Sequence, residues 1–372
     1  MLMLKKTIAA LSLLSILAAC QNDENPSQPE PKPRQDINLT RAEQEFMDKG
    51  TDFAFRFFDQ VCSTEKEKPN VFVSPLSASL CLSMITNGAT DNTLAEMQDV
   101  LGFPANTFSL DDLNNYNQKL TSALLDLDNT TQLGIANSIW IEEGFKVYDS
   151  FVDVNKKMYD AQVQELDFTS PTAKDVINQW CATQTNNCIK EVIQEIPADV
   201  RMYLINALYF KGIWKSQFDK SATGHDNFTN VDGSQQKVAM MNQTATFNYT
   251  QTDDFSIAEL PYGNEAFSMV ILLPSGDKTL NESLPSLNYE NWKQWSKNMV
   301  RKELQIKLPR FKVEYDKELE EDMIVMGMKD AFDAYKAKFA NMSGAELYIG
   351  LLQQFTYCLL YTSPSPRDRS VS

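Results

Sequence analysis

The sequence predicts an α+β fold in which large mixed β-sheets are covered on one side by helices. Apolar residues recur at helical spacing through most of the first half of the chain, whereas runs of strand-forming residues dominate the second half. One run, residues 268–273, is apolar on both faces, which predicts a strand buried on both sides. Helices followed by strands are typical of the α+β class. The 372 residues, 43% of them hydrophobic, suffice for a large core.

The helices are predicted from apolar spacing and from their end signals. Six apolar residues recur at helical spacing and predict a long opening helix: Phe46, Phe53, Ala54, Phe57, Phe58 and Val61. Residues 71–73 predict a short strand, after which Ser74 suits a helix cap and Pro75 suits the first helical position. Thr93 and Glu96 have the spacing of a capping box that begins the next helix. Further helices are predicted at residues 113–124, 150–161, 171–182 and 317–327.

The strands are predicted where branched and aromatic residues run together. The longest such run, residues 202–210, contains a single amide, Asn206. Burying that amide without a partner would cost about 1–3 kcal/mol, so Asn206 is expected to be hydrogen-bonded. Further strands are predicted at residues 133–141, 268–273, 304–308, 311–313 and 347–354.

Composition disfavours several classes of function. The net charge of −16 repels phosphate backbones, so nucleic acid is not an expected partner. The single histidine, His225, lies in a polar stretch and cannot by itself supply a zinc site, and the chain has neither G-x-S-x-G nor H-E-x-x-H. We therefore expect no catalytic residue, no metal and no cofactor.

Four cysteines in the body of the chain have no metal-like spacing, and they are Cys62, Cys81, Cys181 and Cys188. The last two are seven residues apart, which on one helix would separate them by about 10 Å along the axis. That distance is too long for a disulfide. Buried or half-buried free thiols are expected.

The N-terminus predicts export and anchoring. Residues 1–19 form a signal peptide with a short apolar run, and the sequence Leu17-Ala-Ala-Cys20 resembles the bacterial lipobox. The resemblance implies cleavage before Cys20 and acylation of its thiol. The alternative is an ordinary signal peptide with an incidental cysteine. Residues 20–40 are rich in proline and predict a disordered tether.

The other end of the chain changes in composition after Tyr357. Residues 358–372 have no periodicity and no plausible partner element, and they are interpreted as an artefactual tail. The alternative is a genuine disordered tail. The body of the protein is therefore expected to span residues 41–357.

A series of motifs in this body occurs in the order of one known family. The motifs are the residues Asn70-Val-Phe-Val-Ser-Pro-Leu-Ser77, Gly88-Ala-Thr-Asp-Asn-Thr-Leu-Ala-Glu-Met97, Asn206-Ala-Leu-Tyr-Phe-Lys-Gly-Ile-Trp214, Leu260-Pro-Tyr262, Leu308-Pro-Arg-Phe311 and Phe339-Ala-Asn-Met-Ser343. They resemble the serpins, from about Phe46 to Tyr357. The resemblance implies large mixed sheets with about eight or nine helices. It also implies a protease inhibitor whose exposed loop is cleaved and then inserts into the central sheet.

The resemblance also assigns roles to individual residues. Ser74, Pro75, Ser77, Asn206 and Gln354 match the shutter, a buried polar cluster beneath the place where the sheet parts, in which Asn206 bonds to Ser74, Ser77 and Gln354. Many serpins carry histidine where Gln354 stands, and glutamine can still donate and accept. Trp214 matches the tryptophan of the breach, where the loop first enters the sheet.

The sequence departs from the family pattern at its end. After Tyr357 the hinge, the reactive-centre loop and the last strands are absent, so we expect the printed chain to lack inhibitory activity and to fold poorly. The complete product is expected to inhibit serine or papain-like cysteine proteases. The alternatives are a non-inhibitory serpin that serves as a surface binding lipoprotein and a purely structural lipoprotein.

Partners and location follow from the same reasoning. The helix that binds polyanions in some serpins corresponds here to residues 111–126, where Lys119 is the only basic residue, so a heparin-like activator is not expected. A monomer is expected, attached through Cys20 to the outer membrane on its surface or periplasmic side.

Overall fold

The computed structural model describes residues 30–66, 68–230 and 233–360, which form nine α-helices and ten β-strands. The helices are α1 (Arg41–Thr64), α2 (Pro75–Thr86), α3 (Asp91–Leu101), α4 (Leu110–Asp126), α5 (Asp149–Tyr159), α6 (Ala173–Gln184), α7 (Leu280–Ser283), α8 (Tyr289–Lys297) and α9 (Glu320–Met326). The strands are β1 (Gln132–Glu142), β2 (Gln162–Leu166), β3 (Met202–Lys211), β4 (Gly224–Thr229), β5 (Gln235–Gln251), β6 (Phe255–Pro261), β7 (Ser268–Pro274), β8 (Val300–Pro309), β9 (Phe311–Glu318) and β10 (Gln353–Leu360).

Two small sheets lie over the helices. The first has the order β2-β1-β3, with β2 parallel and β3 antiparallel to β1. The second is the antiparallel pair β10-β9. A third, antiparallel sheet has the order β4-β5-β6-β7, and β8 pairs with the long strand β5 as well. The predicted mixture of parallel and antiparallel pairing is therefore present.

Helix α2 lies at the centre of the main core, because nearly every side of it is buried. Leu82 and Met84 are completely covered, and they pack in one cluster with residues of α1, α3, α4, α5 and α9. Its two buried hydroxyl residues are satisfied inside the helix: Ser83 Oγ donates to Ser79 O and Thr86 Oγ1 donates to Leu82 O, each at 2.7 Å.

The end of α2 that faces the sheets has the predicted start signal. Ser74 caps the helix, since its Oγ accepts a hydrogen bond from the backbone N–H of Ser77 at 3.3 Å, and Pro75 is the first helical residue. The preceding residues 71–73 belong to no strand in the described part of the chain, so the short strand predicted there is wrong. Thr356 Oγ1 donates to Phe72 O instead.

Several predicted element bounds differ from those observed. Helix α3 begins at Asp91 rather than after Thr93, because the Thr93 and Glu96 side chains accept backbone N–H groups of residues 338, 329 and 330 instead of capping their own helix. Strand β7 is not buried on both sides: it lies at a sheet edge, and Leu273 is 64% exposed. Residues 317–318 belong to β9, and residues 347–352 precede the last strand.

The ends of the chain also differ from prediction. Residues 358–360, assigned above to the tail, continue β10 and pair with β9, because backbone pairing places little demand on side-chain identity. Residues 30–36, assigned above to the free tether, contact the body. The predicted signal peptide, Cys20 and residues 361–372 lie outside the described residues. Among those that are described, the helices are too short or too polar to cross a bilayer.

Candidate functional site: the divided central sheet

The strands β3 and β10 each have one edge that no strand of the described chain occupies. Strand β3 pairs with β1 along its whole length, from Met202 with Ile141 to Lys211 with Gln132, and β10 pairs only with β9. The other edge of each strand presents backbone N–H and C=O groups that a further strand can use.

Helix α2 lies against both of these strands. Near its start, Ser74 is bonded to Gln354 of β10. About two turns later, the Cys81 thiol contacts Leu204 O of β3 at 3.6 Å. The two open edges therefore lie over one helix. The sheets β2-β1-β3 and β10-β9 are here called the two halves of the central sheet, and the space between their open edges is called the cleft.

Gln354 holds the β10 side of the cleft through backbone groups. Its Oε1 accepts from Ser74 N and its Nε2 donates to Ser74 O, both at 2.8 Å, and the side chain is buried. The glutamine thus both donates and accepts, as the sequence analysis expected. Because the Ser74 hydroxyl already caps α2 through Ser77, these three residues form one connected group beneath β10.

Asn206 is bonded differently from the prediction. Its Nδ2 donates to Asn137 Oδ1 on β1 at 2.8 Å, and no bond joins it to Ser74, Ser77 or Gln354. Because β3 and β10 do not pair, the β10 group and Asn206 have separate hydrogen-bond partners. The Asn206 Oδ1 atom is buried with no hydrogen-bond partner among the described residues, a condition that typically costs about 1–3 kcal/mol.

Asn137 connects Asn206 to the helical layer. Its Nδ2 donates to Tyr159 O at the end of α5 at 2.7 Å, and the Tyr159 hydroxyl donates to Asn114 Oδ1 of α4 at 2.6 Å. Asn114 Nδ2 then donates at 2.8 Å to Oδ1 of Asn87, at the end of α2. Burial raises the pKa of Tyr159 to about 12, so its hydroxyl remains a donor at neutral pH.

We call this series of hydrogen-bonded groups the amide relay. Sequence reasoning found Asn206 and missed its other members, which are Asn137, Tyr159, Asn114 and Asn87. Asn137 offered the same signal as Asn206, because it is also an amide within a strand-like stretch. The remaining members lie on helices, where a polar residue is normally exposed and gives no signal.

The thiol beneath β3 is chemically inert. Burial raises the pKa of Cys81 to about 12, so its nucleophilic thiolate form is scarce at neutral pH. Cys62, Cys181 and Cys188 are also free, and burial raises the pKa of each. The expectation of free, buried or half-buried thiols is confirmed for these four residues.

Trp214 lies three residues beyond the end of β3. Its ring stacks on Tyr262 with 4.3 Å between ring centroids, and the backbones of the two residues form an isolated bridge. Gly212 makes this packing possible, since a Cβ there would lie 2.6 Å from the Tyr262 ring. The structure thus places the predicted breach tryptophan, 4% exposed, at the end of the central sheet.

Comparison with known proteins agrees with this architecture. Residues 48–357 match the family described as Serpin (serine protease inhibitor). A serpin-like protein of the archaeon Methanosarcina acetivorans is 33% identical over 304 residues, covering 80% of this chain and 70% of its own. Human Serpin B3 is 30% identical over 315 residues, covering 79% and 80%.

Solved structures give the same result. The crystal structure of the thermophilic serpin Tengpin in its latent state is 30% identical, with a TM-score of 0.80 and coverage of 88% of each chain. The same serpin in its native state is 29% identical, with a TM-score of 0.77. The fold class expected from the sequence is confirmed, and the chain belongs to the serpin family.

Proposed function

We propose that this protein inhibits serine or papain-like cysteine proteases by inserting a cleaved loop of its own chain into the cleft between β3 and β10. The family consists generally of protease inhibitors rather than enzymes. The observation that carries the proposal is the pair of open strand edges over α2. An inserted strand would satisfy backbone groups on both edges, and such pairing is a recognised mode of strand addition.

The side chains beneath the cleft support the same proposal. Asn206 Oδ1 is a buried acceptor that lacks a donor, and it lies on the strand that an inserted loop would join. The hydrogen bonds of Ser74, Ser77 and Gln354 can exchange partners at little cost, whereas a close-packed apolar contact resists opening. Insertion would begin at the end of β3, where Trp214 lies.

We also propose the location and the partners of the protein. Acylation of Cys20 would hold a monomer at the outer membrane, on its surface or periplasmic side. A heparin-like activator is not part of the proposal, because the only lysine of α4, Lys119, is bonded at 2.7 Å to Glu43 of α1.

The genomic DNA is first sequenced past the codon for Tyr357. The test then uses the protein that this gene encodes. It is incubated with trypsin-like, elastase-like and papain-like proteases, and the mixtures are separated by SDS electrophoresis. A complex that survives SDS is expected, and it should be absent when the same protease carries a blocked active-site nucleophile. Simple digestion with every protease would refute inhibition and favour a non-inhibitory binding lipoprotein.

A further inference from the structure

Residues 30–36 lie on the surface of the body, and we call them the strap. The backbone N–H of Lys32 donates to Asn129 Oδ1 at 2.8 Å, and Asn129 Nδ2 returns a bond to Glu30 O at 2.9 Å. The Lys32 ammonium also pairs with Asp126 at 2.8 Å. This reciprocal pattern fixes both the backbone and the side chain of Lys32 at the end of α4.

A second contact holds the strap farther along. Arg34 Nη1 donates to the backbone oxygen of Glu265, in the turn between β6 and β7, at 3.1 Å. Ile37 and Leu39, which lead into α1, are half-buried. The two prolines that flank Lys32 restrict the backbone of the strap, so that less conformational entropy is lost when it docks.

The place where the strap docks lies at one end of the central sheet. Asn129, which binds the first part of the strap, lies three residues before Gln132, the first residue of β1. Gln132 pairs with Lys211, the last residue of β3. Glu265, which accepts the hydrogen bond from Arg34 of the strap, lies three residues after Tyr262, and Tyr262 stacks on Trp214. We call this end of the sheet the entry end, because it contains the tryptophan where insertion is proposed to begin.

We infer that the strap orients the protein on the membrane with the entry end facing the lipid. The inference rests on the acylation of Cys20 in the proposed function. With the strap docked, only residues 21–29 separate Cys20 from Glu30, so an extended chain reaches at most about 35 Å. If the chain were free as far as Arg41, the reach would be about 75 Å, and the body could turn in any direction.

The negative charge of the protein leaves the strap as the feature expected to orient it on the membrane. The chain carries a net charge of −16 and is repelled by anionic headgroups, so adhesion of a charged face is not expected to orient it. The ion pair of Lys32 with Asp126 is exposed and is screened by salt. The orientation should therefore weaken as ionic strength rises.

The experiment measures the distance of each end from the membrane. The gene product used in the inhibition test above, with acylation of Cys20 verified by mass, is placed in lipid vesicles that carry an acceptor dye. A donor dye is attached through an unnatural amino acid either at Lys211, at the entry end, or at Glu143, beyond the far end of β1. The eleven residues of β1 separate these positions by roughly 35 Å.

Energy transfer is expected to be at least twofold greater from position 211 than from position 143. The double variant Lys32→Ala with Arg34→Ala should remove most of that difference. The variant Lys156→Ala with Lys297→Ala changes the net charge equally at exposed positions away from the strap and should keep it. Equal transfer in the unaltered protein, equal behaviour of the two variants, or absence of acyl mass on Cys20 would each overturn the inference.

Protease complexes are measured on the same samples. If complexes form but the two dye positions give equal transfer, only the inference about the strap fails. If the orientation is found but no protease complex forms, only the proposed inhibitory function fails.

Discussion

The two halves of the central sheet are tied to the helical layer by different chemistry. The β1–β3 half is held by the amide relay, whose members carry no charge at neutral pH. The β9–β10 half shares the neutral bonds of Gln354 with Ser74, but it is also held by an ionic cluster in which Lys317 of β9 pairs with Glu65 at the end of α1 at 2.9 Å and with Asp322 of α9 at 3.3 Å. Neutral hydrogen bonds can change partners cheaply, whereas a buried charge that loses its partner is costly.

The difference assigns a distinct part to each half in the proposed insertion. The ionic cluster would hold β9 and β10 in place, and the amide relay would let β3 adjust as a new strand arrives. Four predictions test this comparison, from the largest expected effect to the smallest.

Removing the central cation should produce the largest loss of stability. The variant Lys317→Met leaves Asp322, which is completely buried, and Glu65 without their shared partner, and the free energy of unfolding should fall by about 3–5 kcal/mol. Urea unfolding measures it. The matched control is Lys68→Met, which also removes a partner of Glu65 but whose side chain is half exposed, and it should cost about 1 kcal/mol or less. Equal losses would show that the cluster does not hold the half-sheet.

Interrupting the amide relay should cost less. The variant Tyr159→Phe removes the hydroxyl that donates to Asn114 and accepts from Asn117, and the expected loss is about 1–3 kcal/mol by the same unfolding measurement. The control is Tyr116→Phe, a buried tyrosine of α4 whose ring stacks on Phe46 and which takes no part in the relay. A smaller loss for Tyr159→Phe than for Tyr116→Phe contradicts the relay.

The two asparagines of β1 and β3 should differ even though they share one hydrogen bond. Asn137→Ala leaves the amide of Asn206 and the carbonyl of Tyr159 without their partner and should cost about 1–3 kcal/mol. Asn206→Ala also removes a buried oxygen that has no partner, so its cost should be about 1 kcal/mol or less. A larger loss for Asn206→Ala would mean that its oxygen is satisfied in solution.

The smallest expected effect is a difference in pH dependence between the two halves. Burial opposes the charge of Glu65, but its hydrogen bonds with Lys317 and Lys68 prevail and lower the pKa of the carboxyl group. A lowered pKa adds stability above the unfolded value of about 4.3, and this stability is lost as the pH falls through the folded pKa. After correction for the pH dependence of intrinsic exchange, the protection of backbone amides should therefore fall in β9 and β10 between about pH 5 and pH 3, and fall less in β3.

The control for this measurement is Glu65→Gln, which cannot ionise. In that variant the loss of amide protection in β9 and β10 at low pH should shrink to about the loss seen in β3. If the unaltered protein showed the same pH response in both halves, the ionic cluster would not distinguish them.

The positions of most helices and strands along the chain were predictable, because local signals and tertiary structure agree in most elements. Ser74 and Pro75 begin α2 as expected, and the strand-forming run around Asn206 is β3. The exceptions arise where a side chain serves a distant segment. Thr93 and Glu96 have the spacing of a cap, yet they bind backbone groups more than 230 residues away.

The candidate site was predictable in part. Ser74, Ser77 and Gln354 lie together, and Trp214 lies three residues beyond the end of β3. The partner of Asn206 was not predictable, because the choice between Gln354 and Asn137 depends on whether β3 lies beside β10 or apart from it. The docking of the strap was not foreseen either, since its proline-rich composition lacks an apolar face.

The sequence by itself determined most of the helices, several of the strands, the absence of the usual catalytic histidine patterns and, through ordered motifs, the family. These properties follow from local spacing and residue type. The tertiary structure decided that the central sheet is divided, which buried amides share a hydrogen bond, and where the strap docks. Each of these depends on contacts between segments far apart in the chain, and hydrogen bonds and ion pairs form only where the folded backbone brings such groups within about 3 Å.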